Sequence, residues 1–282
     1  MKHEVTYVTS CIDIDRANLK DEHAAFRRYF NAYESGYRQN LETYLPLVSF
    51  NSIDYNKFWI PSHRTQDNFL SIPWTKQTLM DNIIDKEVFN KQFDNSKVYK
   101  NGVVHLVRGY GPIAFMKYFM IKKAMELNPF ESDYFVWIDC QCMAAMNYDF
   151  RKEDNAKLFS SRMAKKLSHK KFLLFKHPGC NISTMWKIGA NVFEGIKGTP
   201  EYTQIVFGQF WGGHKDILNE LYEPYWEIYR KCLDTFIPTE EVLFNLLTMF
   251  RPECFDSHFI HLHGGGVNYK QKMFDYVFNA SS

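Results

Sequence analysis

Residues Tyr134 to Cys142 read Tyr-Phe-Val-Trp-Ile-Asp-Cys-Gln-Cys. The first five are apolar or aromatic without a break, which is the pattern of a fully buried strand. The run then ends on one carboxylate, Asp139. In an open α/β sheet, ligands sit just beyond the carboxyl ends of the strands, so an acid there lies where chemistry is done. Capping a helix or solvating a loop is its ordinary alternative.

Other segments alternate between strand and helix patterns. Val5 to Val8 reads as a first strand opening into the loop Thr9-Ser10-Cys11-Ile12-Asp13-Ile14-Asp15-Arg16. An amphipathic helix over His23 to Leu45 is stopped by Pro46, and Leu47 to Phe50 is a short strand. Lys76 to Phe93 has helical spacing, and Val103 to Val107 reads as a strand. Ala114 to Leu127 is helical by the spacing of Phe115, Tyr118, Phe119, Lys122 and Met125, and Asn128-Pro129 ends it. Phe172 to Phe175 is another buried run; Glu220 to Phe236 and Thr239 to Phe250 read as helices. The alternation predicts an α/β fold, with a mostly parallel sheet flanked by helices and a helical C-terminal part. No internal repeat or low-complexity linker divides the 282 residues, which read as one domain.

Hydrophobic residues make up 45% and aromatics 17% of the chain, which excludes a disordered one. A net charge of +2 gives no bulk attraction to nucleic acid. The cluster Lys165, Lys166, Lys170 and Lys171 reads as a solvated helix face. Six scattered cysteines without a Cys-x-x-Cys pair argue against a disulfide framework and for a reducing compartment. The opening residues lack an apolar stretch of signal-peptide length. No run of about 18 apolar residues is present to span a membrane. A cytoplasmic location is the expectation.

Several motifs bear on chemistry, each with a structural alternative. Gly109-Tyr-Gly-Pro-Ile-Ala114 follows a predicted strand and opens a helix, as a dinucleotide fingerprint does. The next strand's acid, Asp139, comes about 28 residues after Gly111, later than the usual spacing of roughly 20. A glycine-rich helix entry explains the motif as well. His263-Gly264-Gly265-Gly266 looks like the oxyanion glycines of lipase-type hydrolases, but no Gly-x-Ser-x-Gly elbow accompanies it. His258, His261 and His263 cluster, and on a strand His261 and His263 would share a face, a workable metal-ligand spacing. Asp139 is the acid that would complete such a site. Gly208-Gln-Phe-Trp-Gly-Gly-His214 precedes a helix over Lys215 to Tyr222, and its glycines would admit a ligand or simply make a turn. Thr239 suits an N-cap, and Glu240 and Glu241 suit the first turn of the helix that follows. Aimed into a cleft, such an acid serves as general base on a hydroxyl.

Together these elements resemble one family. Val5-Thr-Tyr-Val-Thr-Ser-Cys-Ile-Asp-Ile-Asp-Arg16 looks like the first strand and loop of HtrL/YibB-type proteins, whose pattern is near Val-Thr-Ala-x-x-Asp-x-x-Arg. Lys122 to Asp139, Phe210-Trp-Gly-Gly213 and Thr239-Glu-Glu-Val-Leu243 are similar in the same order, covering most of the chain. The family is similar to glycosyltransferases of the GT-A fold, which take a nucleotide-sugar donor, a UDP-sugar foremost, and often Mn²⁺ or Mg²⁺. The resemblance implies a nucleotide-binding half to about residue 145 and an acceptor half beyond it. Thr9, Ser10 and Arg16 would hold the nucleotide and diphosphate, with Trp137 and Gln141 beside them. Asp139 would stand first in an Asp-x-Asp metal motif. Trp211, Gly212 and Gly213 would line the sugar and acceptor side. Glu240 or Glu241 would be the base, and His261 or His263 would complete the metal shell.

One position departs from that pattern. The second acid is Gln141, which offers a metal one carbonyl oxygen and no charge. Without a metal, a cation such as Arg16 or one of the lysines has to stabilise the departing diphosphate. The expected activity is transfer of a sugar from a nucleotide donor to a glycan or saccharide hydroxyl. The alternatives are a non-catalytic glycan- or nucleotide-binding protein on the same scaffold and an NAD(P)-dependent oxidoreductase.

Overall fold

Side chains alternate between two cores along the central strands. In β4 (Tyr134–Ile138), Phe135 and Trp137 enter one apolar cluster while Val136 and Ile138 enter another. β5 (Phe172–His177) repeats this, with Phe172 and Leu174 on one side and Leu173 and Phe175 on the other. A sheet apolar on both faces must be covered on both, which gives three layers. The Lys117–Leu127, Lys215–Leu233 and Glu240–Phe250 helices cover the first face. The Glu153–Leu167 and Tyr269–Phe278 helices cover the second. The computed structural model describes residues 2–12, 34–52, 60–95, 110–140, 142, 148–177, 205–234, 237–260 and 269–279.

Among the described residues, eight strands form one sheet. β1 (Val5–Cys11) lies between β2 (Leu47–Asn51) and β4, parallel to both, and β3 (Phe69–Pro73) adds parallel to β2. β7 (Phe210–His214) is inserted antiparallel between β4 and β5. β5 also pairs antiparallel with β6 (Ile205–Val206) and parallel with β8 (Phe255–Phe259). The chain is therefore α/β with a mostly parallel sheet between helices. The β4–β7 pairing carries that sheet across residue 145. Among the described residues no helix is long and apolar enough to cross a membrane. Cys11, Cys140, Cys142, Cys232 and Cys254 are buried free thiols.

Element boundaries depart from the sequence reading for local reasons. β1 runs to Cys11 rather than Val8, because Thr9, Ser10 and Cys11 continue the ladder against Ser49, Phe50 and Asn51. Residues Lys76 to Phe93 form two helices, Lys76–Asp81 and Lys86–Asn95. Between them the Asn82 side-chain amide donates back to the Thr78 carbonyl at 2.8 Å, and Asp85 takes a left-handed φ of 56°. The helix read from Ala114 begins at Tyr110 and divides at Met116 into Tyr110–Phe115 and Lys117–Leu127, so Gly111 lies inside a helix. It ends, as its sequence implies, on left-handed Asn128 before Pro129. Lys215–Leu233 is one helix through Pro224, where two overlapping ones were expected. Phe210 to Gly213, read as admitting a ligand or making a turn, is part of strand β7. The strand read at 103–107, the helix start at 23–33 and the glycine run at 263–266 lie outside the described residues.

Residues 34–42 are helical, and Arg64 closes that helix. Its guanidinium donates to the carbonyls of Asn40 (2.9 Å), Leu41 (2.9 Å), Leu45 (2.6 Å) and Asn68 (3.1 Å) and to Thr43 Oγ1 (3.0 Å). Carbonyls at a helix C-terminus have no partner within the helix, and Arg64 supplies several at once.

Candidate functional site

β4 delivers Asp139 to the carboxyl rim of the sheet. Its backbone N–H donates to the Gln209 carbonyl at 2.9 Å, and its own carbonyl accepts from Cys142 N–H at 2.8 Å. The indole Nε1–H of Trp137 donates to Asp139 Oδ1 at 2.7 Å. Trp137 is itself clamped, stacked on Trp211 at 6.2 Å between ring centroids. The carboxylate is thus held from behind, with its side chain 18% exposed.

A bulge builds the wall beside it. Val206 pairs with Lys176, whereas Gly212 pairs with Leu173, so six steps along one strand cover three on the other, an excess of three residues. Phe207 N–H still donates to the Phe175 carbonyl at 2.9 Å, so the extra residues bulge around Gly208 and Gln209, and bulges of this kind re-aim groups at sheet ends. Gly208 and Gln209 turn their carbonyls towards Lys117 and Asp139.

Lys117 enters from the other side as the first residue of its helix. Its Nζ lies 3.0 Å from Asp139 Oδ1, 3.3 Å from Asp139 Oδ2 and 3.0 Å from the Gly208 carbonyl, and it donates to Glu240 Oε1. An ammonium has three N–H donors, and Asp139, Gly208 and Glu240 take them. Burial pulls the Lys117 pKa down, but Asp139, Glu240 and Glu241 together hold it well above the ordinary lysine value. The residue stays charged.

Glu240 opens the next helix and is buried. Gly208 makes room for it: a Cβ there would lie 2.8 Å from Glu240 Cδ and closer still to Oε1. Its Oε2 has no hydrogen-bond partner among the described residues. Burial, then the neighbouring Glu241, raises the Glu240 pKa above the ordinary glutamate value, while Lys117 pulls it back. Glu241 is half-buried in the same turn. Thr239 occupies the N-cap with extended backbone but makes no side-chain capping bond.

Of the residues singled out by sequence, Asp139, Trp137 and Glu240 come together here. Thr9 and Ser10 are strand residues, and Thr9 Oγ1 is buried and accepts from Asn40 Nδ2 at 3.3 Å. Trp211 is fully buried. Gly212 spends its missing side chain on β4, since a Cβ would meet the Phe135 carbonyl and lie 2.8 Å from Val136 Cα. At Gly213 a Cβ would lie 2.9 Å from Ile217 Cγ2. Arg16, Gln141, His261 and His263 lie outside the described residues. His258 sits on β8 with Nε2 2.9 Å from Asp256 and a hydrogen bond to the Tyr276 hydroxyl.

Sequence reasoning passed over Lys117, although a signal was present. It shares the apolar stripe of its helix with Met120, Ile121 and Ala124, all buried. A lysine on a core stripe is almost never buried without a carboxylate to meet it. Lys176, near the carboxyl end of β5, is a second cation at this rim. Burial lowers its pKa to about 8, and it donates to Thr248 Oγ1 at 3.2 Å. A cavity of about 490 Å³ lies at the opposite, amino end of the sheet, lined by His3, Pro46 and Asn68 together with charges of both signs from Lys2, Glu4 and Asp67.

A divalent ion needs carboxylate oxygens free to coordinate it. Both oxygens of Asp139 face the Lys117 ammonium, Oδ1 also serves Trp137, and Glu240 Oε1 serves the same ammonium. Among the described residues, no three His, Cys, Asp or Glu side chains are grouped to hold a metal. The described residues do not fit a metal at Asp139. Comparison with protein-family models and with curated proteins finds no match.

Proposed function

We propose that this chain is a glycosyltransferase that moves a sugar from a nucleotide-sugar donor to a saccharide hydroxyl. The observation that carries the reading is the Lys117–Asp139–Glu240 cluster at the carboxyl end of β4. Carboxyl ends of strands in α/β sheets are where ligands bind. In the reaction the acceptor oxygen attacks the anomeric carbon, the bond to the diphosphate breaks, and the acceptor proton goes to a carboxylate. Glu241, half-buried, is the first-turn acid open to an acceptor, while Glu240 is shut in against Lys117. Lys176, a second cation at the same rim beside Lys117, would meet the charge on the leaving diphosphate.

Release of free nucleoside diphosphate from a panel of nucleotide sugars, with saccharide acceptors present, tests this. Turnover of at least one donor is expected. Asp139→Ala should abolish it in a folded protein, and Glu241→Ala should slow it on the order of 10²–10⁴-fold. Donor binding without nucleotide release would replace transfer with a binding role, and neither binding nor release would overturn the reading.

A further inference from the structure

We infer that the Lys117 ammonium is the resident cation of this site, standing where the family resemblance puts a divalent metal, so that Asp139 is not a metal ligand. This deepens the proposed transfer reaction and rests on that reading only for its activity arm. Three features carry it. The ammonium contacts both oxygens of Asp139, at 3.0 and 3.3 Å, and one oxygen of Glu240. Any cation approaching either carboxylate there meets a like charge first.

The ammonium is also built in rather than visiting. Lys117 is 6% exposed, and its third proton is fixed by the Gly208 carbonyl at 3.0 Å, on the three-residue bulge. The indole of Trp137 stands at the same carboxylate, with Lys117 Nζ 5.6 Å from its ring centroid and its N–H on Asp139 Oδ1. Finally, the acid that would pair with Asp139 on a metal is Gln141 in this sequence. With Gln141 uncharged, the cluster lacks the second acid that would draw a divalent ion to Asp139 past the ammonium. Lys117 is a positioning residue: its donors are spent on protein, and it sets where Asp139 and Glu240 lie.

Calorimetric titration of Mn²⁺ into the full chain tests the inference without reference to activity. Wild type should show no saturable binding that Asp139→Asn removes. Lys117→Met vacates the position and leaves two carboxylates facing each other, so it should gain saturable Mn²⁺ binding. Asp139→Asn in that background should abolish the gain. Should Lys117→Met not fold, Lys117→Met/Glu240→Gln neutralises the more buried of the two carboxylates, and the same titration reads the gain at Asp139 alone. Saturable Mn²⁺ binding by wild type that depends on Asp139, or no gain on removing Lys117, overturns the inference. In the activity arm, nucleotide release should persist in excess EDTA. Absence of release under every condition would sink the transfer reaction while leaving the Mn²⁺ titration to decide the role of Lys117.

Discussion

The Nζ atom of Lys117 lies 3.0 Å from Oδ1 of Asp139, with 8% of the lysine side chain exposed and the two 22 positions apart in the chain. The same ammonium reaches Glu240, 123 residues away. Three elements are thereby riveted at one point: the end of β4, the bulge before β7 and the start of a helix.

Removing one partner of a buried ionic cluster costs more than removing the cluster. Lys117→Met strands two carboxylates and should destabilise the protein by about 3–5 kcal/mol. Adding Glu240→Gln neutralises the more buried of the two and should recover much of that loss. Urea denaturation of the single and double variants measures both. A double variant no more stable than Lys117→Met would show that the cost lies in packing rather than charge.

The raised Glu240 pKa gives a pH dependence with a definite sign. Folded, this carboxyl holds its proton above its ordinary 4.5, chiefly through burial. A group that binds its proton more tightly when folded stabilises the fold below its unfolded pKa and loses that contribution as pH rises to the folded value. Wild-type stability relative to Glu240→Gln should therefore decline as pH rises from 4.5 towards that raised value. Urea midpoints of both proteins across pH about 5 to 8 read the difference. Parallel curves would contradict it.

Two glycines separate by what a methyl group would strike. At Gly212 the obstacles are the Phe135 carbonyl and Val136 Cα, backbone that yields only if β4 and β7 part. Gly212→Ala should cost about 3 kcal/mol or more. At Gly208 the obstacle is the Glu240 side chain, which can swing aside, so Gly208→Ala should cost about 1–2 kcal/mol while pulling Glu240 off Lys117. Thermal melts rank the two, and the order Gly212→Ala worse than Gly208→Ala is the expected result.

Arg64 tests whether a charge or a fork is needed. Its guanidinium serves five acceptors, four of them carbonyls, which a single ammonium cannot reach together. Arg64→Lys should lose about 3 kcal/mol by leaving buried carbonyls unpaired. Denaturant unfolding measures it, and a loss under about 1 kcal/mol would show that water replaces the fork.

Local pattern was enough to place much of the frame. The five apolar residues before Asp139 specified β4 and its exit point, because an unbroken apolar run admits burial on both faces. Asn128 and Pro129 ended their helix, and Glu240 and Glu241 began theirs, since caps and breakers act within one turn. The glycines of β7 were visible as glycines, but whether they faced a ligand or another strand depends on the register with β4.

What only the tertiary structure decided is the company each charge keeps. Lys117 was one lysine among many until packing set it between two carboxylates and a bulged carbonyl. Periodicity is a property of neighbours in the chain, whereas the energy of a buried ion depends on groups brought in from elsewhere. Sequence therefore settled the strand that carries Asp139, and folding settled which positive charge that acid holds.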